Sequence, residues 1–168
     1  MASKALSGLK VGDRAPSFSL LDQNGTTVSL ADCAGKPVVV YFYPKAMTPG
    51  CTIQACGIRD HEAELRVLGV KVLAISPDLP ERLKRFDDKE ALNFTLLSDP
   101  DHAIAEAYGV WALKKFMGRE FMGIVRTTFV VDADGKIAHV LDKVKTKTHA
   151  ADVLALLAES KNLARSKR

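Results

Sequence analysis

No apolar run in the chain is long enough to span a membrane. The longest, such as Val38–Phe42, are a few residues, where a span needs about 20. The first ten residues are small and polar with two lysines, so there is no apolar signal core. Cysteine is scarce: three residues, with no C-x-x-C pair, are too few for the disulfide framework of a small secreted domain. The expectation is a cytoplasmic protein whose thiols are free or do redox chemistry. The four histidines, His61, His102, His139 and His149, show no zinc-ligand spacing. No glycine-rich phosphate motif, repeat, linker or low-complexity segment occurs, so neither a metal nor an organic cofactor is expected. Charge of one sign is also lacking. The net +4 is local, since the last eight residues hold Lys161, Arg165, Lys167 and Arg168 and no acid. The body is balanced and has no basic face with interleaved aromatics, which argues against a nucleic-acid partner.

What is present fits one domain, residues 1–168, with a flexible lead (1–10) and a solvated basic tail (161–168). A chain of 168 residues buries roughly 70% of its unfolded surface without staples. Residues 18–21 and 27–30 flank Asn24-Gly25, a hairpin turn signal. Residues 38–43 and 70–75 read as strands buried on both faces. A long helix is predicted over 48–68, ended by Gly69, and others over 80–90, 99–108 and 148–163. Short strands are predicted at 94–97, 125–131 and 136–141, the last two joined by an Asp132-Ala-Asp-Gly135 turn. Residues 109–123 read as an irregular, aromatic-bearing stretch. This order predicts an α/β fold: a central mixed sheet flanked by helices, with an N-terminal hairpin.

The informative segment runs from Tyr43 to Cys56, where the first buried strand gives way to the long helix. Open α/β sheets place sites at such carboxyl ends. Thr48-Pro49 is a helix start: threonine favours the N-cap, where its oxygen would accept an orphan N–H, and proline fits the first helical position. Cys51 then falls in the first turn, where the helix N-terminus favours a thiolate. Full ionisation of a thiol with pKa about 8.5 gains only roughly 30-fold at neutral pH. Something must therefore also hold a substrate and stabilise charge on its leaving atom. The candidates are the Thr48 hydroxyl, the Gly50 and Cys51 amides, Pro44 as a wall against water, and Arg126. The last opens a strongly apolar strand, where a charge needs a reason.

The pattern Pro44-x-x-x-Thr48-x-x-Cys51 resembles the active-site motif of peroxiredoxins. The longer run Pro44-Lys-Ala-Met-Thr-Pro-Gly-Cys-Thr-Ile-Gln-Ala-Cys-Gly-Ile-Arg-Asp60 is similar to the Q-type, or bacterioferritin comigratory protein, branch. The likeness covers roughly residues 10–157 and includes Asn93-Phe-Thr-Leu-Leu-Ser-Asp99, Tyr108-Gly-Val-Trp111 and Asp132-Ala-Asp-Gly-Lys136. It implies a thioredoxin-like fold and a peroxidatic Cys51. It also implies Thr48 and Arg126 in thiolate and peroxide binding, Pro44 in shielding, hydroperoxide substrates, thioredoxin as reductant, and a monomer by default. Many relatives carry glutamate where this chain has Gln54, a change on which the motif's chemistry is not expected to depend. Cys33 is not part of the pattern and reads as a small loop residue.

Attack on a peroxide leaves a sulfenic acid that a second thiol can trap. Cys56 is the nearest, and the resemblance implies the same resolving role; the alternative is a buried core cysteine. Tyr108, Trp111, Phe116 and Phe121 around Met117 and Met122 read either as a cover for the core or as an apolar wall for alkyl hydroperoxides. The histidines read as structural or solvated, and His61 lies too far along the helix from Cys51 to act as its base. Two rivals remain: a disulfide reductase, which would want C-x-x-C at the helix start, and a non-catalytic chaperone or interaction module, which would survive loss of Cys51.

Overall fold

In the computed structural model, residues 8–166 are described, with side chains through Glu159. Most of the expected lead therefore lies outside the described residues, although Leu9 packs on the core.

Seven strands form one mixed sheet in the order β2-β1-β5-β4-β3-β8-β9. The N-terminal hairpin pairs β1 (Ser19–Asp22) with β2 (Thr27–Ser29), and Gly25 takes the positive φ of +78° that the turn requires. The centre is β3 (Val38–Phe42), parallel to β4 (Lys71–Ser76), which is parallel to β5 (Thr95–Ser98). On the other side β3 pairs antiparallel with β8 (Thr127–Val131), and β8 with β9 (Ile137–Leu141). Every residue of β3 is buried, as expected of a strand covered on both faces, and every residue of β8 is buried too.

Period-2 alternation divides the core into two layers. On one face Val39, Tyr41, Tyr43 and Val130 meet Ala55 and Ile58 of α1 (Pro49–Asp60), Leu65 of α2 (Glu62–Val67), Leu83 and Phe86 of α3 (Pro80–Glu90), and Val153 and Leu157 of α5 (His149–Ser166). On the other face Val38, Val40, Phe42 and Phe129 meet Phe18, Tyr108 and Ala105 of α4 (Ala103–Ala107). No helix among the described residues is long and apolar enough to cross a membrane.

Four elements differ from expectation. The long helix over 48–68 breaks at His61, whose backbone leaves helical geometry (φ −109°, ψ 12°) and whose Nδ1 donates to the Gly57 carbonyl at 2.8 Å. The helix expected over 99–108 is confined to α4. Asp99 sits outside it and accepts the Ile104 and Ala105 amides at 3.2 and 2.9 Å, while His102 takes a left-handed φ of +51°. The stretch over 109–123 is not irregular: β6 (Trp111–Phe116) and β7 (Arg119–Ile124) form a separate hairpin. Its turn is Met117-Gly118, both at positive φ, and Met-Gly carries none of the usual Asn-Gly signal. The C-terminal helix continues to Ser166, through part of the expected tail.

Candidate active site

The register of the sheet makes the site. Thr127 pairs with Phe42 and Thr128 with Tyr41, so Arg126 lies level with Tyr43, where β3 ends and the chain turns into α1. Alternation then puts Arg126, Thr128 and Val130 on the face that α1 covers. Cys51, 75 residues away in sequence, is in the first turn of α1 and only 2% exposed.

Arg126 Nη1 donates to Cys51 Sγ at 3.4 Å and to Gln54 Oε1 at 2.6 Å. Its other amino group, Nη2, lies over the helix start, 3.4 Å from where a Cβ on Gly50 would stand. The sequence placed Arg126 at the head of a strand; it sits one residue before β8, where its side chain can reach out of the sheet. Lys114 of β6 is the second cation nearby. Its Nζ donates to the Ile124 carbonyl at 2.8 Å. Burial pushes the ammonium below the ordinary lysine range; the Arg126 charge adds to this and Cys51 opposes it.

Thr48 is the N-cap residue, but its oxygen does not cap the helix as expected. The hydroxyl donates instead to the Lys45 carbonyl at 2.8 Å. That bond spends the hydroxyl's hydrogen and leaves lone pairs to accept from a ligand. Pro44 is half-buried in the connecting loop. The loop itself is clamped by α3 and the segment before it: Asp78 Oδ2 accepts the Ala46 amide at 2.7 Å, and Arg82 Nη2 donates to the Ala46 carbonyl at 2.8 Å. The clamp holds Met47 at a left-handed φ of +65° just before the N-cap.

Cys56 shares α1 with Cys51, and both thiols are free. Its Sγ donates to Glu90 Oε1 at 3.5 Å, and Arg59 Nη1 donates to the Glu90 carbonyl. Burial raises the Cys56 thiol above its ordinary range, Arg59 opposing and Glu90 adding. Cys33 ends a short 3-10 turn (Leu30–Cys33) in the opposite core layer, and burial raises its thiol too. The sheet thus separates Cys33 from Cys51.

Two residues missed by the sequence reading are central. Gln54 is fully buried and is the second acceptor of Arg126, so its identity does bear on the site. His149, read as structural or solvated, is fully buried beside it, with Nδ1 3.2 Å from Gln54 Nε2. The helical spacing of Cys51 and Gln54 could have suggested that both face the core; nothing local marks His149. The aromatic group also disperses. Tyr108 is core, with its hydroxyl on the Pro16 carbonyl, and Trp111 stacks on His102 at 3.8 Å. Phe116, Phe121, Met117 and Met122 are exposed on the β6–β7 hairpin. No cluster of three or more potential metal-ligating His, Cys, Asp or Glu residues occurs among the described residues.

A buried sulfur at a helix N-terminus, a guanidinium against it and open amides in the same turn can bind an anion or stabilise one forming there. The AhpC/TSA family model matches residues 11–140. The chain is 60% identical over 151 residues to peroxiredoxin Bcp of Escherichia coli, an alignment covering 90% of this chain and 97% of the relative. Among solved structures, peroxiredoxin Q of Xanthomonas campestris aligns with a TM-score of 0.82 at 33% identity over 91% and 97% of the two chains. A structure of the bacterioferritin comigratory protein of the same organism, described for its alkyl peroxide reduction activity, gives 0.83 at 32% identity over 92% and 98%. With its thioredoxin-like sheet and a cysteine at the head of α1, the chain belongs to the AhpC/TSA family, among the Bcp and Q-type peroxiredoxins.

Proposed function

We propose that the chain is a thiol peroxidase that reduces hydrogen peroxide and organic hydroperoxides to water and alcohols. The observation that carries this is the buried Cys51 Sγ held 3.4 Å from Arg126 Nη1 at the start of α1. The Cys51 thiolate attacks the terminal peroxide oxygen; the S–O bond forms, the O–O bond breaks, and the leaving alkoxide takes a proton. Arg126 and the first-turn amides stabilise the developing oxyanion, the Thr48 oxygen accepts from the peroxide O–H, and Pro44 limits water. The product is Cys51 sulfenic acid. Cys56 condenses with it, forming the Cys51–Cys56 disulfide and releasing water. A dithiol of the thioredoxin type then reduces the disulfide. We place the protein in the cytoplasm as a single-domain monomer.

The test uses reduced protein and one equivalent of hydrogen peroxide, followed by alkylation and trypsin. The peptide 46–59 holds both cysteines. Loss of two hydrogens with resistance to alkylation is expected. A sulfenic adduct on Cys51 with an alkylated Cys56 would replace the resolving step by an external thiol. No change at either cysteine would sink the peroxidase reading and favour a binding module.

A further inference from the structure

An arginine side chain carries only donors, so every group that faces Arg126 has to accept. Nη1 meets Cys51 Sγ and Gln54 Oε1. The Gln54 amide has two unlike ends, and its oxygen must be the one on Arg126. Its Nε2 end then faces His149 Nδ1 at 3.2 Å. An amide NH2 only donates, so Nδ1 has to be bare. A neutral imidazole in that state carries its proton on Nε2, and Thr128 Oγ1 lies there at 2.8 Å to accept it. The bonds run in one direction: Arg126 to Gln54, Gln54 to His149, His149 to Thr128. All three partners of the arginine chain are essentially sealed from water, Gln54 and His149 at 0% and Thr128 at 1% exposure. A reversed amide would set two donors against each other 2.6 Å apart, where a buried unmade bond costs about 1–3 kcal/mol and more beside a charge.

The surroundings of the ring agree with a neutral state. The edge of Tyr41 from β3 lies against it with centroids 5.2 Å apart, Gln54 comes from α1, and Thr128 and Arg126 come from β8 and the residue before it. Burial pushes the imidazole down to about 4; Asp152, one turn along α5, opposes this and Arg126 adds to it.

We propose that His149 is a positioning residue for the reaction at Cys51: by presenting a bare Nδ1, with its proton held on Nε2 by Thr128, it fixes the Gln54 amide with its oxygen on Arg126 and so holds the guanidinium against the sulfur. This rests on the peroxidatic reading of Cys51. Three elements meet only in the tertiary structure to build this chain.

The primary test measures the second-order rate of Cys51 oxidation by hydrogen peroxide in rapidly quenched, alkylated samples. His149→Leu is expected to slow it by about 10-fold, less than the 10²–10³-fold typical of losing a transition-state donor outright. His149→Asn keeps an acceptor at the δ position and is expected to stay within about 3-fold of the parent. In Gln54→Glu both carboxylate oxygens accept, so orientation ceases to matter. There, adding His149→Leu is expected to cost nothing further, a rescue that a merely structural role would not produce. A folded His149→Leu protein oxidised at the parent rate would overturn the proposal, as would a loss that Gln54→Glu fails to restore. The ring can also be read without any peroxide. Nitrogen NMR of the unmodified protein is expected to show His149 protonated on Nε2 and bare on Nδ1. The opposite tautomer overturns the positioning role even if the peroxidase stands, whereas an inert Cys51 with the expected tautomer overturns only the peroxidase reading.

Discussion

Oxidation of this protein is expected to unwind the start of α1, and helix geometry sets the size of the effect. Cys51 and Cys56 lie in one continuous helix, Pro49–Asp60. Five residues along an α-helix rise about 7.5 Å and turn about 140°, which puts the two Cα atoms roughly 8–9 Å apart on different sides. A disulfide tolerates at most about 7 Å. The bond therefore cannot form on the intact helix, and the segment between the cysteines must leave helical geometry. Unwinding takes Cys51 off the core and removes the Gln54 contact from Arg126, both buried in the reduced state. It also breaks the Cys56–Glu90 contact that ties the helix to α3. Amide hydrogen exchange, compared between reduced and peroxide-treated protein, reads this directly. Residues 52–57 are expected to lose at least about 10-fold of their protection, corresponding to about 1.4 kcal/mol of opening free energy, while β3 and β8 keep theirs. A Cys56→Ser protein treated the same way is expected to keep its protection, since no bond then draws the helix open. Unchanged exchange over 52–57 in protein proven to hold the disulfide would refute the reasoning.

Arg126→Lys is expected to lower kcat/KM for hydrogen peroxide by about 10²-fold with little change in melting temperature, because one ammonium cannot reproduce the fork that donates to both Sγ and Gln54; a loss below about 3-fold would remove Arg126 from the chemistry. The His149 pKa, held at about 4 in the fold against 6.5 in the unfolded chain, gives acid sensitivity. The unfolded chain takes the proton first as pH falls, so stability drops between pH 6.5 and 4, by a total of about 3 kcal/mol from this group. Urea denaturation at pH 7 and pH 4.5 is expected to show that loss in the parent and not in His149→Asn; parallel slopes would contradict it. On the β6–β7 hairpin, Phe121 pairs across from Lys114, the residue that feels both Arg126 and Cys51. Phe121→Ala is expected to slow cumene hydroperoxide turnover about 10-fold more than hydrogen peroxide turnover; equal losses would mean that this face does not touch alkyl groups.

The candidate site around Cys51 is largely local in sequence. Thr48-Pro49 starts a helix because a proline tolerates only the first turn, and that alone puts Cys51 at the helix N-terminus. The apolar runs at 38–43 and 70–75 announce β3 and β4 as strands buried on both faces. Other boundaries fail for equally local reasons. His61 breaks the long helix through its own side-chain bond to Gly57, a competition invisible to periodicity. Met117-Gly118 makes a hairpin turn without a turn-forming signature at its first position, so β6 and β7 read as irregular.

By itself, then, the sequence determined that Cys51 would stand at a helix start, that Cys56 would lie out of bonding reach while the helix stands, and that a charge at Arg126 needed a partner. Only the tertiary structure decided which partner. The antiparallel register of β3 and β8 sets Arg126 level with the end of β3, and the packing of α5 on the same face brings His149 up to Gln54. Those pairings join residues 72, 75 and 95 positions apart. No local spacing encodes them, because they follow from how strands pair and helices pack once the whole core has formed.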